Sequence, residues 1–430
     1  MKVSKADPGI AILVLAASRT SDQPGPRPVI PDDGRTPWRL LALLMTMTAI
    51  SSMSLNLLVP AVPRLAVVMQ THPDVIQLTV SLYVFGLALA QLITGPLSDR
   101  FGRRPVIIGG FALATLASLA AIAMWSAAGL IIMRLLQALG AATGVAIGRA
   151  IIRDLFGRER AAQMIGLVAS AMAIAPMVAP LIGGILDTLF GWQAIFLFAA
   201  AASFLVLVWA AMMLPETRPR QAPGAEGGFR ANVGIVLSSP RFLGYTLSAA
   251  FGSANFFVFV GAGPHVVITM MKHSSAEYGL WFLPFAGGFV VGNMITSRLS
   301  MRYGVDRMLW WGNVIEVVSA VLGVALVPFV DTLGLVAIIL PSSLIAIGNG
   351  ILLPNAIAGA VSIRPQAAGT ASGVLGCAQM LLGAAMAQLA GILVADASTP
   401  MPMALQMLAV AAGCLAAFLL LRSPRAARKA

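Results

Sequence analysis

Gly95-Pro96-Leu97-Ser98-Asp99-Arg100-Phe101-Gly102-Arg103-Arg104-Pro105 joins two long apolar runs, residues 75–97 and 106–125. Charge is concentrated in the joint and absent from both runs. Each run has about the 20 residues that a helix needs to cross a bilayer. A short basic joint between two such runs is the sequence form of a membrane hairpin. Gly102 supplies a permissive backbone for the turn, and Gly95 lets the helix end pack closely. Asp99 can accept hydrogen bonds from guanidinium groups or face the positive end of a helix. The fixed order of glycine, acid and arginines predicts a conformational latch of Gly95, Asp99, Arg100, Gly102, Arg103 and Arg104. The plainer alternative is a basic loop that only orients the chain.

The pattern continues outward. The chain has 430 residues, 59% hydrophobic and 10% charged; soluble chains average about 45–50% apolar and about 25% charged. A water-soluble enzyme, a disordered chain and a fibrous protein fit that mixture poorly. The runs do not alternate, as barrel strands do. Twelve spans are predicted near residues 40–62, 75–97, 106–125, 128–152, 162–186, 192–214, 242–268, 278–297, 308–330, 335–355, 368–394 and 403–421. The longest polar interruption, 215–240, reads as a flexible linker. The expected organisation is a tail (1–37), a six-helix bundle (38–214), the linker (215–240), a second bundle (241–422) and a tail (423–430).

Of the 28 Lys and Arg residues, all but Arg64, Lys272, Arg134 and Arg149 fall in alternate connectors or the two tails. The positive-inside rule then puts both termini in the cytoplasm. The formal charge of +12 thus reads as topology, with no nucleic-acid partner. Cys377 and Cys414 lie in apolar runs and form no metal-ligand cluster. Residues 10–17 form an apolar run too short to span; the first 37 residues read as a disordered tail or over-long start, with a targeting role as the alternative.

The two halves echo each other. Leu97-Ser98-Asp99-Arg100-Phe101-Gly102 returns as Leu299-Ser300-Met301-Arg302-Tyr303-Gly304, and Gly183-Gly184-Ile185-Leu186 as Ala390-Gly391-Ile392-Leu393. A duplicated six-span unit with a hinge is a transporter architecture, two bundles rocking about a midplane site.

Residues 95–105 resemble motif A of the major facilitator superfamily. Arg134-Leu135-Leu136-Gln137-Ala138-Leu139-Gly140 resembles its arginine-bearing motif B. Ala179-Pro180-Leu181-Ile182-Gly183-Gly184 resembles the antiporter motif of the fifth span, with Ala179 in place of the usual glycine. Arg149-Ala150-Ile151-Ile152-Arg153-Asp154-Leu155-Phe156, Gly191-Trp192-Gln193-Ala194-Ile195-Phe196 and Pro215-Glu216-Thr217-Arg218 are similar to Bcr/CflA-type drug exporters. Ile76-Gln77-Leu78-Thr79-Val80-Ser81-Leu82-Tyr83 and Asn255-Phe256-Phe257-Val258-Phe259 point to the chloramphenicol/florfenicol branch. The resemblance covers about residues 38–422. It implies an all-α membrane protein with twelve transmembrane helices in two pseudo-symmetric bundles, and an antiporter-motif helix carrying Pro176, Pro180, Gly183 and Gly184. One departure matters. Where that branch carries an aspartate in the first span, this chain has Asn56, which cannot lose a proton.

Charge within the membrane needs a reason, because it costs about 2.5–3.5 kcal/mol at the bilayer centre. Asn56, Arg134, Arg149 and Glu316 are the candidates for a proton or substrate path. Arg134 either serves that traffic or braces the first and fourth spans. Glu316, the only acid well inside a predicted span, either carries a proton or pairs with Arg307. Arg149 and Arg153 share a helical face, and Arg153 with Asp154 is expected at a cytoplasmic gate. Asn255, Asn293, Asn313, Asn349 and Gln379 either line a cavity or tie helices together. Tyr83, Asn255, Phe256, Phe257 and Phe259 suit a pocket for a lipophilic molecule.

The chain carries no HExxH, GxSxG or P-loop pattern, so no enzyme, metal or cofactor is predicted, and a proton gradient is the expected energy source. The expected partners of a monomeric chain are a small-molecule substrate, protons and the lipid bilayer of a bacterial inner membrane. The function predicted is export of small amphipathic molecules, neutral or weakly anionic, by alternating access; the alternative is an importer or facilitator of the same fold.

Overall fold

The computed structural model describes residues 38–155, 158–217, 237–363 and 368–421. Both predicted tails and most of the linker lie outside the described residues, as do the side chains of Asp99, Arg149 and Arg153. Among the described residues the chain is helical, without strands. That follows from the composition. A spanning segment must satisfy its own N–H and C=O groups, and a helix does so within itself.

Twelve long helices carry the fold. In the first half they are α1 (Trp38–Leu57), α2 (Pro73–Phe101), α3 (Arg103–Ile122), α4 (Ala127–Leu155), α5 (Arg158–Phe190) and α6 (Trp192–Met213). In the second half they are α7 (Pro240–Pro264), α8 (Ser275–Tyr303), α9 (Val305–Leu326), α10 (Val336–Ser362), α11 (Ala368–Ala395) and α12 (Met401–Leu421). Among the described residues, eleven helical segments are long and apolar enough to cross a membrane; α5 adds an apolar stretch, Val178–Phe190. Pro60 and Pro63 follow the end of α1, which continues through a 3-10 turn, Val59–Ala61, into a short helix, Val62–Val68.

The sequence echoes are structural echoes. α2 and α3 are joined by Gly102 alone, with φ +101°, and α8 and α9 by Gly304 alone, with φ +77°. Both glycines donate to the carbonyl four residues back, Ser98 and Ser300. The motif at 95–105 is therefore not a loop. Its first seven residues finish α2, and only Gly102 turns. Gly95 does not serve close packing, since a Cβ there would meet nothing within 4 Å.

The packing repeats as well. Within the first half α2 and α3 pack on α4, α1 on α5, and α3 on α6. Within the second half α8 and α9 pack on α10, α7 on α11, and α9 on α12. The halves meet along two seams, α5 with α8 and α2 with α11. At one end of the molecule lie the Gly102 and Gly304 joints, called here the arginine end. The opposite, far end holds the starts of α2 and α8.

Candidate functional site

At the arginine end, the Arg103 side chain pairs with Asp154 of α4 at 3.1 Å and also donates to the Ser98 hydroxyl. The backbone N–H groups of Arg103 and Arg104 donate to the two carboxylate oxygens of Glu216, at 2.9 and 3.2 Å. Those are unpaired donors of the first turn of α3, where an anion is favoured. A Cβ on Gly102 would overlap the Glu216 carboxylate, so glycine serves both the turn and the acid. Arg104 also donates to the Ala211 carbonyl at 2.7 Å. Arg100 is exposed, its guanidinium 5.2 Å from the Phe101 ring. The latch arginines thus meet Asp154, expected at the gate, and Glu216, which the linker reading passed over.

Inside the first bundle, Arg134 is buried and well supplied with acceptors. It donates to the carbonyls of Ser54 (3.1 Å), Leu55 (3.4 Å) and Thr79 (3.2 Å), and to Gln137 Oε1 at 2.6 Å. Its guanidinium lies 4.0 Å from the Tyr83 ring centre. Ser54 and Leu55 belong to the last turn of α1, whose carbonyls have no partner within the helix. Pro60, without an N–H, removes the donor that would have continued it. Arg134 therefore caps α1 and ties it to α2 and α4, and Gln137 extends the network to Ser118 of α3 at 2.8 Å. Asn56, one residue on, is buried with its Oδ1 unpaired.

Inside the second bundle, Glu316 of α9 is fully buried. Its Oε2 accepts from Asn255 Nδ2 of α7 at 3.3 Å, and its Oε1 has no partner. No pair with Arg307 forms among the described residues. Asn349 donates to the Gly252 carbonyl at 2.7 Å and Gln379 to that of Ala249 at 3.4 Å, both ties to α7. Asn313 and Asn293 bond back within their own helices.

Tyr83, Phe257 and Phe259 of the expected pocket belong to one buried apolar cluster, with Phe256 packed against it. Tyr83 is buried beneath Arg134, and Asn255 turns to Glu316. Phe257 and Phe259 are buried, and only Phe256 is partly open. The phenylalanines join Tyr278, Phe282 and Phe285 of α8 in an aromatic layer, with Phe259 stacked on Phe285 at 4.6 Å.

At the far end the halves are bonded to each other. The Ser275 hydroxyl of α8 lies 2.7 Å from Asp187 Oδ2 of α5 and 3.1 Å from the Pro60 carbonyl. Arg64 donates to the Asp187 carbonyl at 2.7 Å and lies 3.5 Å from its carboxylate. Gln388 donates to the Asp74 carbonyl at 2.9 Å, and His72 bridges Asp74 and Asp396. Hydrogen bonding to Asp74, and then to Asp396, holds the His72 pKa above its ordinary value. The antiporter-motif helix forms this seam. A Cβ on Gly184 would overlap the Ser275 carbonyl, one on Gly183 the Leu57 carbonyl, and one on Gly279 the Pro180 carbonyl. Pro176 is partly buried in the same helix. Asp187 escaped the sequence reading because the fifth span was ended at residue 186, whereas α5 runs to Phe190. Glu316 is thus not the only buried acid within a helix.

These features define two half-related helical bundles, the plan of a membrane transporter. The model of the Major Facilitator Superfamily matches residues 44–387, and the chain belongs to that family. It is 27% identical to the bicyclomycin resistance protein homolog of Haemophilus influenzae over 80% of this chain and 87% of that one. It is 30% identical to the chloramphenicol resistance protein of Pseudomonas aeruginosa, over 78% and 79% respectively. The fold is similar to that of a bacterial homolog of the human lysosomal transporter Spinster, solved inward-facing and unoccupied. There the TM-score is 0.73 and the identity 16%, over 90% of this chain and 98% of the other.

Proposed function

We propose that the chain is a bacterial inner-membrane exporter of small amphipathic molecules, neutral or weakly anionic, working by alternating access in exchange for protons. The observation that carries this reading is the bonding between the halves at the far end, where Ser275 meets Asp187 and Pro60. Such bonds break and re-form if two rigid bundles rock about a central path. The arginine-rich turns support a cytoplasmic position for the other end, and on that reading the described state is closed toward the outside. Asn56 in place of an acid argues against lipophilic cations, which would want a buried counter-charge. The relatives' names support drugs such as amphenicols as cargo.

The test is a resistance panel in a drug-sensitive strain, followed by flux in inside-out vesicles with and without a pH gradient. Resistance to amphenicol-like drugs and gradient-driven uptake into those vesicles are expected. Resistance confined to cationic dyes would overturn the cargo class. Flux in the opposite direction would make the chain an importer.

A further inference from the structure

We propose that Glu316 of α9 and Asn255 of α7 form a proton-binding site in the second bundle, and that the exporter's exchanged proton binds there. The inference rests on the proton-coupled reading above and names the site for it. It is argued from three observations.

The first is an imbalance of acceptors. Among the buried side-chain atoms without a partner are Glu316 Oε1, Asn255 Oδ1, Asn313 Oδ1 and Asn349 Oδ1. All four are oxygens of acids or amides, acceptors that lack a donor. Asn313 lies one turn from Glu316 on α9, and Asn349 follows Gly348, which packs against Glu316. A proton on Glu316 turns an acceptor into a donor. The step is simple: the carboxylate takes one proton to form O–H, charge falls by one negative unit, and no bond between heavy atoms changes.

The second is the surroundings. Asn255 and Gly252 meet Glu316 from α7, and Gly348 from α10. The Cys414 thiol faces it from α12, bonded to the Ser248 carbonyl. Among the described residues no Lys, Arg or His meets it. A buried carboxylate without a cation is costly, and such a group generally neutralises by taking up a proton. Releasing that proton calls for a different arrangement around α7, one that admits water. Proton occupancy and conformation are thereby linked.

The third comes from the repeat. A Cβ on Gly140 of α4 would overlap the Gly110 carbonyl and the N and Cβ of Ala114. A Cβ on Gly348 of α10 would overlap the Gly312 carbonyl and the N and Cγ of Glu316. The same crossing thus occurs in both halves, with alanine in one and glutamate in the other. The crossing does not need an acid. On α7, Phe259 lies one turn beyond Asn255 and stacks on Phe285 of α8, the helix that carries Ser275.

The experiment uses the full-length protein and two readouts. Infrared spectroscopy of purified protein in lipid, across a pH series, reads the C=O stretch of a protonated carboxyl. A band present near neutral pH, and missing in both Glu316→Gln and Glu316→Ala, is expected; its persistence in both variants overturns the site. The alanine variant copies the first half and guards against misfolding of the glutamine one. Chloramphenicol flux in vesicles is the second readout. Stimulation by the pH gradient should fall to none in Glu316→Gln. Full stimulation in that variant overturns the coupling role. A sodium gradient that replaces the pH gradient in the wild type would overturn the choice of proton. If no cargo is transported at all, the exporter reading fails while the infrared band still decides the site.

Discussion

The two bundles share a backbone plan and differ in how they hold buried charge. Counting from the matched Gly140 and Gly348 crossings, Arg134 of α4 corresponds to Ser342 of α10, which merely bonds back to the Ile338 carbonyl. Counting from Gly110 and Gly312, Glu316 of α9 corresponds to Ala114 of α3. At these two matched positions, one half has a buried charge where the other has a small residue. Arg134 is matched to carbonyls, an amide oxygen and an aromatic face. Glu316 has one long hydrogen bond. A charge with several donors engaged holds helices together, while a charge left short of partners can change state. On the proposal above, the first bundle braces and the second exchanges the proton.

The largest effect should come from removing the brace. Arg134→Ala strips the donor from several buried acceptors, at about 1–3 kcal/mol each. The expected loss is roughly 3–5 kcal/mol, read as a lower unfolding temperature in detergent. Ser342→Ala should cost about 1 kcal/mol or less. An Arg134→Ala protein as stable as the wild type, yet unable to transport, would break the contrast and put Arg134 in the transport path.

The next effect concerns the two seams. A Cβ on Gly184 runs into the Ser275 backbone, and one on its counterpart Gly391 into the Cβ and Cγ of the buried Gln77. Overpacking costs about 1–3 kcal/mol, and about 1.4 kcal/mol is tenfold in population. Gly184→Ala should therefore raise the population open at the far end by on the order of tenfold, and Gly391→Ala, which meets a side chain and not backbone, by less. Distances between nitroxide labels at positions 71 and 397 measure both. Equal shifts in the two variants would show that the seams are equally yielding.

The smallest effect is a pH dependence of the same end. Protonated His72 bonds Asp396 across the halves and Asp74 within its own half. Its pKa in the closed state is raised from 6.5. Asp74 stays beside His72 when the halves part, so the closing contribution is the share that Asp396 adds; it is present while His72 is protonated and lost as pH rises through the raised value. The label distance should lengthen slightly over that window in the wild type and stay flat in His72→Gln. An unchanged slope in the variant would assign the titration to another group.

Much of the fold was legible because membrane spans are set by composition and length. The turn at Gly102 and its echo at Gly304 were legible for a local reason, since a positive φ favours glycine. What the sequence did not disclose are partners chosen by tertiary packing. Glu216 looked like a linker charge until α6 brought it to the start of α3. Asp187 fell one residue beyond its predicted span, and its partner Ser275 lies in the other half. Gly95 was credited with close packing that occurs instead at Gly184 and Gly279. For Glu316 the position was legible, but spacing along the chain offered only Arg307 as a partner. The structure shows that it meets Asn255 of α7 instead.

The single-glycine joints have a mechanical consequence. A connector of one residue has no slack: α2 cannot slide along its axis without dragging α3, nor α8 without α9. Each pair works as a rigid crank. A displacement that begins where α2 touches α11, or α8 touches α5, is delivered at full stroke to the other face of the membrane. Two extra flexible residues at either joint would introduce backlash, and the stroke would be lost in the coupling before reaching its load.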